Sequence, residues 1–304
     1  MAPSTLGTFL RASTFGHVRQ LDALSEAVLA GAWAMGAGPG GQGPTVDIDS
    51  TICPVYGYRK HGASHGCTMV LGQRPFVATR ADTGQVLHLR RRKRSADAGR
   101  GGPRFVRELI GRVRRCGATG PVVLRADSGF HSKHVITACR DHDGRYSITV
   151  NQNRGVVAAI EAIDEATWEG IDYTAGGEAA VSECPLGDGH RLVVRRTRFH
   201  RTQAELFPSR RYRAFLTERI GSAVDLDADH RRHAVVELTN RDPKEGAGLS
   251  HCPSGDCNAN AVWAVLATIA HNMLRWLSCL GLDHQGPVRR QDHPAEVQSA
   301  PDRH

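Results

Sequence analysis

No uncharged apolar run in this chain approaches the roughly 18 residues that a membrane-spanning helix needs, so a helical membrane protein is not expected. The opening residues, MAPSTLGTFLRASTFGHVRQ, lack a compact apolar stretch ending in a small-residue cleavage site. A cytoplasmic chain is therefore expected. Cysteine is thinly spread: eight in 304 residues is not the density of a disulfide scaffold, and free thiols are the expectation in a reducing compartment. His251, Cys252 and Cys257 hint at zinc, but no second Cys or His pair follows at ligand spacing. A turn with two ordinary thiols outweighs a zinc site there, and nothing supports a Cys–His nucleophile. Acidic residues are outnumbered, 31 against 39 Lys and Arg, and the formal charge of +8 favours a polyanionic partner.

What is present is a globular composition, with 40% hydrophobic and 23% charged residues and length enough for one large domain or two small ones. Residues 17–33 read as a helix with Val18, Leu21, Leu24, Val28 and Ala32 on one face. The stretch Gly36 to Pro44 reads as a flexible linker that closes a segment spanning 1–44. A first part of a catalytic core is expected over 45–168. It begins with a strand in which Val46 and Ile48 face one way and Asp47 and Asp49 the other. Two strands near 65–80 and 85–90, a helix from Pro103 to before Gly117, a buried strand ending at Asp127, a short helix near 132–141 and a strand at Arg145–Val150 follow. That alternation argues for a sheet with helices packed on it. A β-rich insertion is expected over 169–220. The core resumes over 221–281, with helices near 228–242 and 258–280, the latter buried through Val262, Trp263, Leu266, Ile269, Met273 and Trp276. Residues 282–304 are polar and read as an unfolded tail.

Two carboxylates fall at strand ends, Asp49 beside Ser50 and Thr51, and Asp127 within Arg125-Ala126-Asp127-Ser128-Gly129-Phe130. Oxygen ligands fixed on a rigid sheet suit a hard divalent metal, and a third carboxylate from a nearby helix would complete a two-metal site for phosphodiester chemistry. Glu237, in His233-Ala234-Val235-Val236-Glu237, is the candidate.

These three segments, in this order, resemble the transposases of bacterial insertion sequences, members of the DDE superfamily with a ribonuclease H-like fold. The resemblance runs from about residue 3 to 280. It implies an α/β fold: a ribonuclease H-like mixed sheet flanked by helices, with a β-rich insertion before the glutamate-bearing helix. It implies Asp49, Asp127 and Glu237 as catalytic and metal-binding residues for two Mg2+ (or Mn2+) ions. The implied activity is DNA strand cleavage and strand transfer. Asp49 is preferred to Asp47 because the family's aspartate precedes small hydroxyl residues, and Asp47 is left to a supporting role. The family's Tyr-x2-Arg-x3-Glu-x6-Lys signature falls on His230, His233, Glu237 and Lys244, so only the last two match by type. Pro243 should break the helix before Lys244.

Basic residues cluster twice. Arg90 to Arg115 holds eleven Lys and Arg against Asp97 and Glu108, and Arg191 to Arg213 holds eight Arg against Glu205. Arg91, Arg92, Lys93, Arg94, Arg195 and Arg196 are the expected phosphate contacts, joined by Arg232 and Lys244 of the signature region. Double-stranded DNA, as element ends and target, is the expected partner, with a homodimer possible and a nucleoid-associated location. The other reading is a catalytically inactive remnant, truncated at both ends, that binds DNA or an intact copy. A host nuclease of the same fold would leave the insertion unexplained.

Overall fold

The β-branched and apolar stretches Thr45–Ser50 (β1) and Val122–Ala126 (β7) are extended, and in the computed structural model they lie side by side and parallel. The structure describes residues 3–50, 52–56, 60–65, 69–92, 99, 101–173, 177–187, 189–199, 210–235 and 247–281. Lys93, Arg94, Glu237, Pro243, Lys244 and the tail 282–304 lie outside the described residues.

Strands β5 (Phe76–Arg80) and β6 (Val86–Arg90) pair antiparallel on one side of β1, and β8 (Gly144–Thr149) runs parallel to β7 on the other. Beyond β8 come β12 (Arg211–Thr217), β11 (His190–Phe199), β10 (Gly177–Leu186) and β9 (Glu169–Ile171), each antiparallel to its neighbour. The order in the nine-stranded sheet is therefore β6-β5-β1-β7-β8-β12-β11-β10-β9. The β-rich segment before the glutamate region continues the main sheet. A small sheet of β2 (Cys53–Pro54), β3 (Ser64–His65) and β4 (Leu71–Gln73) stands apart.

Alternation gives the large sheet two unlike faces. Val46, Ile48, Leu124, Ala126, Tyr146, Ile148, Leu216 and Leu192 line one face and enter the main core. Helix α3 (Gly102–Arg115) covers that face with Phe105, Val106, Leu109, Ile110 and Val113. Its last turn carries Arg112, Arg114 and Arg115, which complement the negative end of the helix dipole. Helix α4 (Lys133–Arg140) packs beside it, and α5 (Arg154–Glu161) joins the same core against β10. The opposite face carries Asp47, Asp49 and Arg125. Helix α6 (Ala223–Arg231) crosses it through Leu226, which packs on Val181, Val193 and Phe215. At the β5–β6 side, Leu249 and Ala264 cover Val77 and Val86 of the same face.

Two expectations are revised. The glycine-rich stretch before β1 is closely packed at its end: Gly43 has φ 74°, and a Cβ there would sit 2.3 Å from the Pro121 carbonyl. Glycine provides close approach at that point rather than slack. The last helix (α7, Cys257–Leu280, with α1 Pro3–Arg11 and α2 Phe15–Ala32 beside it) buries Val262 and Trp276 but turns Leu266 and Met273 outward. Its buried side is set by small and polar groups that fit the edge strand. Asn272 Oδ1 accepts from the Val86 N–H at 2.8 Å, and its Nδ2 donates to the Val86 carbonyl at 2.8 Å. The side chain thus stands in for a neighbouring strand and closes the sheet edge. No described helix is long and apolar enough to cross a membrane.

Asn272→Ala would leave both Val86 groups buried and unpaired. It is expected to lower unfolding free energy by about 1–3 kcal/mol, whereas Ser278→Ala on the exposed side of α7 should change it by less than about 0.5. Denaturant midpoints with unchanged slopes would measure this.

Candidate active site

Strands β1 and β7 are in register through Ile48 and Ala126, so one residue further on Asp49 and Asp127 come side by side at adjacent strand ends. Both lie on the face away from the main core, partly buried. Asp127 ends its strand by capping the 3-10 turn Ser128–Phe130, and its Oδ1 accepts from the Gly129 N–H at 3.0 Å. Burial pushes the Asp127 carboxyl up, and the neighbouring Asp49 charge pushes it further, against the Gly129 bond and the charges of His233 and Arg74. Two carboxylates that repel each other on a rigid support are a fitting donor set for a hard divalent cation. No group of three His, Cys, Asp or Glu side chains that could hold a metal occurs among the described residues, which do not include Glu237.

Residues 42–291 match the model of the family described as transposase DDE domain, group 1. The chain belongs to that family. Among solved structures, a cryo-electron microscopy piggyBac transposase synaptic complex with hairpin DNA is similar at a TM-score of 0.50 and 11% identity. The match covers 78% of this chain and 47% of that one, so this chain spans about half the length of the transposase it resembles. At that identity the likeness concerns the fold: a mixed sheet flanked by helices, as the sequence led us to expect. A comparison with curated proteins finds no match.

Behind Asp49 and Asp127 lies a buried polar cluster. Asp47 has no exposed surface and is paired in register with Arg125, whose Nε and Nη2 donate to its two carboxylate oxygens at 2.8 and 2.7 Å. The His233 Nδ1 stands 2.7 Å from Asp47 Oδ1. Arg125 Nη1 also donates to the Asp229 carbonyl at 2.6 Å and to its Oδ1 at 3.2 Å. Breaking such a buried pair costs about 3–5 kcal/mol, because the survivor is left charged and unpaired. On the far side, Arg74 Nε donates to Ser50 Oγ at 3.1 Å.

At the signature's tyrosine place, His230 lies flat on Phe215 at 4.1 Å between rings. Its two ring nitrogens meet Ser147 Oγ at 2.8 Å and Thr149 Oγ1 at 3.0 Å. Burial lowers its pKa to about 3, helped by His233, Arg125 and Arg195, so the ring is neutral. Instead of one helix over 228–242, α6 ends at Arg231 and a 3-10 turn runs from Arg232 to Val235. The tightening occurs where His233 reaches back to Asp47.

Most of the described arginines expected at DNA are engaged within the fold. Arg91 bonds to Gln73, Cys252 Sγ (3.0 Å) and the carbonyls of Leu249 (3.2 Å) and His251 (3.3 Å), pinning that loop. Arg92 stacks on Phe76 at 3.9 Å. Arg195 pairs with Asp227 at 3.4 Å, and Arg196 with Glu165 at 2.6 Å over the Trp168 ring. Arg232 is exposed. The exposed Arg211 and Arg213 of β12 share the face of Asp49 and α6, across from Thr197 and Arg195. Sequence reading gave no separate role to Arg74 or Arg125, and it counted Arg211 and Arg213 only as members of the second basic cluster. For Arg125 a signal existed: it precedes Asp127 by two residues, as Asp47 precedes Asp49, on strands of apolar neighbours.

A histidine with a pKa of about 3, against an ordinary 6.5, favours folding fully above pH 6.5 and loses that contribution as pH falls towards 3. His230→Gln is therefore expected to lose less thermal stability than the parent between pH 7 and 4. The buried His88 shifts in the same direction in both proteins, so the difference between the two melting profiles isolates His230.

Proposed function

We propose that this chain is a DDE transposase that cleaves DNA strands at the ends of a mobile element and joins the freed 3′-hydroxyl to target DNA. The observation that carries the proposal is the pair Asp49 and Asp127, side by side on adjacent parallel strands in a chain of this family. Asp49 and Asp127 would hold divalent metal, with Glu237 as the third ligand. Two Mg2+ or Mn2+ ions bound there supply activation of the attacking oxygen and stabilisation of the leaving oxygen in an in-line displacement. The protein's own contribution is placement. Strand pairing fixes the separation of Asp49 and Asp127, and the Gly129 N–H fixes the rotation of the Asp127 carboxylate.

Double-stranded DNA is the proposed partner, and a cytoplasmic, nucleoid-associated setting follows from it. Phosphate contacts fall to exposed arginines on the carboxylate face, Arg211, Arg213 and Arg232, with Lys93, Arg94 and Lys244 as further candidates from sequence. An open cavity lined by Gln152, Thr197, Arg211, Tyr212 and Arg213 lies along the same strand. Arg91 and Arg195 serve the fold first, since moving either to a phosphate would unpair groups inside the protein, whereas Arg196 pairs with the exposed Glu165.

Nicking of supercoiled plasmid in Mg2+ or Mn2+ tests the reading. Asp127→Ala and Glu237→Gln are each expected to reduce nicking by roughly a hundredfold or more while DNA affinity stays within about twofold. Binding without metal-dependent nicking by the parent would favour the remnant that only binds DNA. The double variant Arg211→Ala, Arg213→Ala should weaken DNA binding on any sequence and reduce the slope of log K against log salt by about 2.

A further inference from the structure

We infer that Asp47 and Arg125 are positioning residues: their buried ion pair holds the end of α6 and the turn after it against β1 and β7, and so sets where the chain enters the segment that carries Glu237. The inference rests on the transposase reading and assigns it a part of the machinery that the acidic triad does not contain. A pair needed only to join β1 to β7 would end at those strands, which the backbone ladder from Thr45–Val123 to Ile48–Ala126 already joins. Instead the bonds run outward. Arg125 reaches the Asp229 carbonyl at 2.6 Å, near the end of α6, and Asp47 meets the His233 ring at 2.7 Å, in the 3-10 turn. Between those two anchors His230 is fixed to Ser147 and Thr149 of β8.

Three side chains or carbonyls within five residues of chain are thus bonded to one face of the sheet. Two of the bonds meet at a single ion pair placed two residues behind the paired aspartates. Val235, the last described residue of the turn, precedes Glu237 by two. Apolar side chains of similar volume would pair the strands equally well. They offer no acceptor for a histidine and no donor for a helix carbonyl, so the ionic pair is what specifies the docking geometry. Residues acting at one reacting phosphate must be placed within a fraction of an ångström, and displacement by about 1 Å can cost on the order of a hundredfold in rate.

Hydrogen exchange on the full chain, comparing the parent with Arg125→Lys and His233→Ala, tests the inference. Lysine keeps the charge at 125 but cannot bond Asp47 through two nitrogens and also reach Asp229. In both variants, peptides covering 226–235 are expected to exchange roughly tenfold faster or more, while peptides from β1, β7 and β11 keep parental protection. In plasmid nicking, kcat should fall by about tenfold or more with KM within about twofold. Parental exchange over 226–235 in a folded Arg125→Lys would overturn the inference, as would a loss of protection spread evenly over the sheet. If Arg125→Lys does not fold, His233→Ala decides: it leaves the ion pair intact and removes only the link to the turn, so parental exchange there overturns the inference. The exchange experiment needs no cleavage, so a parent that fails to nick DNA would overturn the transposase reading and still leave the positioning role decided.

Discussion

A carboxylate with no exposed surface must have its oxygens bonded within the protein, and the placement of Asp47 against Arg125 constrains much of the rest of this structure. Because the two residues are in register on parallel strands, Asp49 and Asp127, each two positions later, must emerge together on the same face. The guanidinium has bonds to spare, and they draw in the end of α6. One buried interaction therefore links strand pairing, the adjacency of the aspartates and the docking of a helix.

The large sheet divides its work between faces. The apolar side, under α3, α4 and α5, supplies the main core and makes the strands rigid. The polar side is covered by α6 over the added strands and by α7 with Leu249 over β5 and β6, and the aspartates lie between these two coverings. Carboxylates on strand ends of such a sheet are held by a core that lies on its other side. The added strands β9 to β12 extend the same polar face, which brings the exposed arginines of β12 onto the surface that carries Asp49.

Arginine has two uses in this chain. Its charge biases the protein towards polyanions, yet its planar fork also suits internal pairs and carbonyl clusters. Arg91 organises a loop through four partners, and Arg196 is held between Glu165 and Trp168. A cluster in sequence is spread over both faces of a strand and over helix and loop, so its members meet very different surroundings. Arg195 and Arg213 are opposite each other on β11 and β12, but α6 places Asp227 beside the former and leaves the latter exposed.

By itself the sequence determined the alternation of strands and helices, the apolar stripe of α3, the strand-end location of Asp49 and Asp127, and the family, because each rests on local periodicity or on a motif of adjacent residues. Only the tertiary structure decided that Asp47 belongs to Arg125 and His233, that His230 is a buried neutral ring, that α7 meets the sheet through Asn272 rather than Leu266 and Met273, and which arginines remain exposed. Several of those outcomes depend on partners 186 positions away, such as Asp47 with His233 and Val86 with Asn272. Chain folding alone brings such partners together. For a charged group, whether a partner arrives decides whether it serves the interior or faces a ligand.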